Sequence, residues 1–305
     1  MSEVHKTLDI ICAGELLIDL IGHQPERSLS ATKDYHRYLG GSPANVAVNM
    51  ARLGCGVALA ASVGNDGFGD YIVKRLDDNA VDTRGVFKLS DKNTTVIVVS
   101  RTKDSPEFIP YREADYHIGA SQLPDDMLEN ARIFHTTCFA LSKDPARETI
   151  LEKAGTAHKK GCTLSIDFNY SEKIWPDKQE AVAILQAFCR YNPLVKVSKD
   201  DISRLFGETM SHEDVFAYLY DSGVETVCLT LGGDGAKLAK KGRCVMSLSA
   251  QKIEKIMDAT GAGDAFWSGF LFAYLKGRSL DKCMETALHM AALKLQHVGR
   301  IPDYA

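Results

Sequence analysis

The segment IMDATGAGDAFWSGF (residues 256 to 270) places Gly261, Ala262 and Gly263 directly before an apolar helical stretch, with Asp264 in its first turn. Small residues let the backbone approach a ligand, and amides at a helix start carry partial positive charge. Such a place suits a phosphoryl group that gathers negative charge during transfer. A carboxylate beside it could take the proton of an attacking hydroxyl while the amides stabilise the transferring group. The plainer alternative is an Asp that caps a helix after a glycine turn, because GxGD is short and capping Asp residues are common.

A second glycine loop, TLGGDGA (230 to 236), follows a strand-like run and would serve either as a phosphate-contacting loop or as a hairpin turn. It has no Lys-Ser/Thr ending, and no Gly-Lys dipeptide occurs in the chain, so a Walker A loop is excluded. No strand leads into GxGxxG with a suitably placed acid, which argues against a dinucleotide-binding enzyme. HExxH is absent, and Phe266 stands where a nucleophile elbow around Ser268 requires glycine. The nine histidines are scattered, and His135 with Cys138 makes a poor ligand pair for metal-centred catalysis. Arg112, in PYREADY, has either Glu113 or Asp115 as a partner or a polar ligand to reach.

Elements must position these residues. The run LDIICAGELLIDL (8 to 20) reads as a buried strand interrupted at Gly14-Glu15, which leaves Asp19 facing a site. Residues 33 to 54 read as a loop that passes Gly40, Gly41 and Pro43 and becomes a helix. VALAASVG reads as a strand, DGFGDYIVKRLDDNA as an amphipathic helix and TTVIVVSR as a strand, which is the βαβ alternation. Residues 85 to 118 break it with two short β-like runs, VFKL and TTVIVVSR, taken as a small β excursion beside the main sheet. From residue 132 four strands alternate with helices, and two apolar helices close the chain. The main body is thus predicted to be an α/β layer structure on a parallel sheet.

The bulk properties narrow the function. With 305 residues, 45% hydrophobic and 25% charged, the chain can bury a large core. A net charge of -4 offers no broad basic surface, so nucleic acid is not an expected partner. Eight cysteines without a CxxC pair read as reduced and structural, and no apolar run is long enough to span a membrane. A cytoplasmic location is expected, since the N-terminus MSEVHKTLD has no apolar signal core.

Taken together, GGSPANVAVNMARLG and DATGAGDAFWSGF resemble the N-terminal and C-terminal signatures of the ribokinase-like (PfkB) carbohydrate kinases, in the right order and over nearly the whole chain. The resemblance implies a single domain, residues 1 to 305, with three α/β/α layers, a mostly parallel central sheet and a small β lid from parts of 15 to 40 and 85 to 118. It implies an ATP-dependent kinase that uses magnesium. By motif matching, Asp264 is the base and Gly261, Ala262 and Gly263 the anion hole. Asp19, Gly40, Gly41, Asn45 and Asn169 bind the sugar, joined by Arg112 if its ligand is the substrate. ATP lies along Ser198, Thr230, Gly232 and Gly235, with the segment around residues 291 to 299 flanking the adenine. Asp258 and Thr260 stand where a potassium loop would be, and a homodimer paired through a lid edge would be ordinary for the family.

Two departures bear on substrate and metal. The family's magnesium motif is an Asn followed three residues later by Glu, whereas this chain has Ser198 and Asp201, still a hard oxygen donor acting through water. Many relatives have Arg two residues after the Asn of SIDFN, where this chain has Ser171. Among 2-keto-3-deoxygluconate kinases that Arg helps hold a carboxylate, and Lys173 is a poorer substitute because it lacks the guanidinium fork. The reading therefore tilts to a neutral ketose such as fructose, phosphorylated at a primary hydroxyl. The alternatives are 2-keto-3-deoxygluconate or 5-dehydro-2-deoxygluconate, and, in another class, a non-catalytic sugar-binding protein.

Overall fold

The computed structural model describes residues 6–101, 107–243 and 245–298. Strand β1 (Leu8–Ala13) is followed by two lid strands, β2 (Leu17–Pro25) and β3 (Tyr35–Gly40), and by helix α1 (Ser42–Arg52). Then come β4 (Val57–Gly64), α2 (Gly67–Asp77) and β5 (Asp82–Leu89), and the lid strands β6 (Val96–Arg101) and β7 (Phe108–Tyr111). The short α3 (Asp125–Glu129) leads to β8 (Ala131–Thr137), α4 (Ala146–Lys159), β9 (Thr163–Asp167), α5 (Lys178–Cys189) and β10 (Leu194–Ser198). Helices α6 (Lys199–Phe206) and α7 (His212–Asp221) precede β11 (Thr226–Thr230), β12 (Ala236–Lys240) and β13 (Met246–Leu248). Helices α8 (Ala262–Leu275) and α9 (Leu280–Leu295) end the described chain.

The large sheet runs β13-β12-β11-β10-β9-β8-β1-β4-β5, parallel from β5 to β11 and antiparallel for the last two strands. Its strands are apolar on both faces, as a sheet between helices requires. In β1, Ile11 and Ala13 pack with Ile150 of α4 and Leu185 of α5, while Ile10 and Cys12 pack with Met50 of α1 and Phe270 of α8. This period of two, one face per helix layer, is the three-layer α/β/α architecture. The lid is a four-stranded sheet of order β3-β2-β6-β7, whose Leu17, Ile21, Ile97 and Val99 pack near Phe139.

Two assignments from sequence change. VFKL, expected beside the main sheet, lies inside β5 at its edge, so the crossover is β4-α2-β5, while TTVIVVSR supplies β6 of the lid, within the 85 to 118 range expected for it. The loop before α1 contains β3, whose YHRYLG has mixed polar and aromatic residues with only Gly40 buried, so no apolar run announces it. Both are edge strands, where the apolar signal is weakest. The seven described cysteines are free and buried, Cys244 lies outside the described residues, and no described helix is long and apolar enough to cross a membrane.

Candidate active site

Gly261 precedes helix α8 as its cap and takes a left-handed backbone (φ 77°) that turns the chain into the helix. Asp264, one turn in, is held from α1: Ser42 Oγ donates to its Oδ1 at 2.7 Å and Asn45 Nδ2 to its Oδ2 at 2.8 Å. The carboxylate is therefore aimed by two hydrogen bonds, a firmer hold than a helix cap alone provides. Within the expected anion hole, the Ala262 amide already donates to Ala259 O at 3.1 Å.

On the lid side, Asp19 and Asn45 share a cavity with Tyr38, Thr260 and Gly261. Gly40 is required here, because any Cβ at that position would run into the Asp19 carboxylate. Gly41 is buried and ends the lid strand against Glu15. Asp264 also lines a larger cleft of about 630 Å³, with Ile97, Val99, Phe108, Phe139 and Asn169 toward the lid and Ser198, Asp201, Thr230 and Gly232 on the other side. Asn169 accepts a hydrogen bond from the Phe139 amide at 3.1 Å. TLGGDGA is the turn between the antiparallel β11 and β12, with Thr230 and Gly232 on the cleft. Gly235 does not line the cleft; it is buried against the Leu248 backbone.

Asp201 caps α6 together with Ser198, whose N–H and Oγ both donate to Asp201 Oδ2, at 2.9 and 2.5 Å. It faces the cleft as a hard oxygen donor, so it fits a water-mediated contact with phosphate-bound magnesium. Among the described residues no cluster of three or more His, Cys, Asp or Glu side chains could hold a metal unaided. Arg112 is turned to protein partners: it donates to Asp115 Oδ2 at 2.9 and 2.7 Å and to Ser142 Oγ at 2.7 Å, and packs over Phe139. Lys173 donates to Phe108 O at 3.0 Å. In the region expected to flank adenine, residues up to 298 form the end of α9 and a turn, and residue 299 lies outside the described chain.

Sequence reading missed four contributors. Ser42 sits within the GGSPAN signature and adds the hydroxyl that holds Asp264. Lys196, in the apolar strand LVKVS, has its ammonium 2.7 and 2.8 Å from the two oxygens of Asp167 and lines the cleft. A lysine inside a buried strand was the available signal, together with the acid in SIDFN. Lys294 is buried near Asp258.

Burial pushes three carboxyls up: Glu15 to about 8, Asp19 to about 7 and Asp201 to about 7, with Asp264 and Asp258 adding repulsion at Asp19. The folded chain therefore holds more protons than the unfolded chain, whose carboxyls titrate near pH ~4. Stability present below that pH is lost as pH rises through these folded values. The ligand-free melting temperature should fall by a few °C between about pH 6 and 8.5, and Glu15→Gln should flatten the slope, as calorimetry would read. A flat wild-type profile over that window would count against the buried neutral carboxyls.

A family model described as pfkB family carbohydrate kinase matches residues 7–304. An ATP-dependent 6-phosphofructokinase of Thermoanaerobacterium thermosaccharolyticum is 34% identical over 298 residues, covering 98% of this chain and 91% of the relative. The structure of Halothermothrix orenii fructokinase superposes with a TM-score of 0.83 at 33% identity, covering 94% of this chain and 99% of that one. That of a sugar kinase from Pyrococcus horikoshii in complex with ATP gives 0.82 at 31% identity, covering 95% and 93%.

Proposed function

This chain belongs to the pfkB family of carbohydrate kinases and is an ATP-dependent sugar kinase, and we propose that its acceptor is the primary hydroxyl of a ketose, fructose first. The observation that carries the reading is the Asp264 carboxylate, fixed by Ser42 and Asn45 at the helix start between the lid and the Thr230–Gly232 turn. Sugar hydroxyls bind Asp19, Asn45 and Asn169 under the apolar lid face. Asp264 accepts the proton of the attacking hydroxyl, and the amides of Gly261 and Gly263 face the transferred phosphoryl group, the Ala262 amide being held by Ala259 O. Thr230 and Gly232 lie along the ATP phosphates, while the lid excludes water that would compete with the sugar. Asp201 would hold the magnesium of Mg-ATP through water, and that ion would neutralise phosphate charge.

A neutral sugar is favoured because the Arg112 guanidinium is committed to Asp115 and Ser142, and Ser171 supplies no charge. A second reading, a sugar bearing a carboxylate or phosphate, rests on Arg52 and Arg75, which line the cavity beside Asp19. An ADP-release assay with Mg-ATP against fructose, fructose 6-phosphate, 2-keto-3-deoxygluconate and 5-dehydro-2-deoxygluconate decides between them. Fructose is expected to give the highest kcat/KM; preference for an anionic sugar selects the second reading, and silence on all four leaves a sugar-binding protein. We place the enzyme in the cytoplasm, supported by its buried free cysteines. A homodimer through edge strand β7, where Ile109 and Tyr111 are exposed, is read by the mass in solution.

A further inference from the structure

The loop expected to bind potassium holds a cation that belongs to the chain. Lys294, in the last turn of α9, is 4% exposed, and its Nζ lies 3.4 Å from Asp258 Oδ2 and donates to His297 O at 3.1 Å. Asp258, 2% exposed, accepts from the Thr260 amide at 3.0 Å through its other oxygen. The Met257 amide donates to Leu295 O at 2.8 Å, so backbone and side chain tie the same turn to the end of α9. A Cβ at Gly261 would lie 3.6 Å from Lys294 Cε, which places the lysine directly behind the turn that opens α8.

A carboxylate and a backbone carbonyl around one positive charge form an oxygen donor set suited to a hard monovalent cation. Here the set is already satisfied, and a second cation at the same carboxylate would be repelled by the ammonium. Burial draws the Lys294 pKa below the ordinary lysine value, while the Asp258 and Asp264 charges pull it back toward the ammonium form. An ammonium so far from water is tolerated only with such partners. Asp258 and Thr260 therefore do not fit a potassium site in this chain.

We propose that Lys294 is a built-in monovalent cation, whose ammonium takes the place of bound potassium against Asp258 and His297 and fixes the turn beneath Gly261 to Gly263. The proposal rests on the anion-hole reading of that turn. Its test uses the full chain, as wild type and Lys294→Ala, in KCl, NH4Cl, NaCl and choline chloride at equal ionic strength. Initial rates are taken with Mg-ATP and the best sugar, and melting temperatures without either substrate.

Wild-type rates should agree within about twofold in all four salts, and the alanine variant should lose about 10- to 100-fold in choline, the scale of a disturbed anion hole. Potassium or ammonium should then restore at least about tenfold in the variant and raise its melting temperature, as a ligand bound only by the folded state does. Activation or stabilisation of the wild type by potassium over choline would overturn the proposal. So would a variant fully active in choline, or a loss that no ion rescues, since packing alone would then explain the lysine. If the variant does not fold, the wild-type series decides. If no sugar is turned over the kinase reading fails, while the melting series still tests Lys294.

Discussion

Asp264→Asn should lower kcat by about 10³-fold, ~4 kcal/mol of transition-state stabilisation, with little change in KM for sugar or ATP. The substitution preserves size and removes only the ability to take a proton. Asp264 accepts hydrogen bonds at both oxygens, from Ser42 and from Asn45. An asparagine can still accept from Ser42, but its amide nitrogen donates, so Asn45 must rotate its own amide to offer oxygen. That rearrangement is small beside the loss of a base. Stability gives the discriminating readout. Asp264 adds repulsion at the buried Asp19 carboxyl but also helps hold the buried Lys196 and Lys294 ammoniums, so neutralising it should change the melting temperature little while activity collapses. An activity loss accompanied by unfolding would mean a helix cap had been removed. Unchanged kcat in a folded variant would place the base elsewhere.

The two ends of the site were legible from the chain because both depend on local sequence. GGSPAN and DATGAGD each combine a glycine turn with a helix start, and the structure brings them together as the pair Ser42 and Asn45 on Asp264. The central sheet was legible for a related reason: strands buried on both faces read as uninterrupted apolar runs. What escaped depends on contacts between distant segments. No periodicity separates β5, an outer strand of the main sheet, from β6, a strand of the lid, since both are short and rich in β-branched or apolar residues. Arg112 had two readings in sequence; in the structure it donates to Asp115, the local partner, and to Ser142, 30 residues on, which nothing local signals. Lys294 and Asp258 are 36 residues apart, and nothing local signals that the ammonium of one meets the carboxylate of the other.

Lys196 and Asp167 carry the other large expected effect, because their ion pair is buried on neighbouring strands β10 and β9. Burial alone would strip the proton from Lys196, yet the Asp167, Asp201 and Asp264 charges hold its pKa above the ordinary lysine value. Lys196→Met leaves Asp167 as a buried charge without its counter-ion and should cost about 3–5 kcal/mol of stability. Thermal or denaturant unfolding of the ligand-free protein measures it. Adding Asp167→Asn removes the stranded charge, so the double variant should regain most of that stability. Activity should not follow. The Lys196 ammonium lies 3.0 Å from where a Gly263 side chain would begin, so it stands beside the amides proposed to face the transferred phosphoryl group. The restored fold would lack that positive charge, and kcat should stay about 10²-fold below wild type. A double variant that recovered both stability and rate would confine the pair to holding the strands together. Recovery of stability alone gives Lys196 a second role, as a fixed charge beneath the reacting centre.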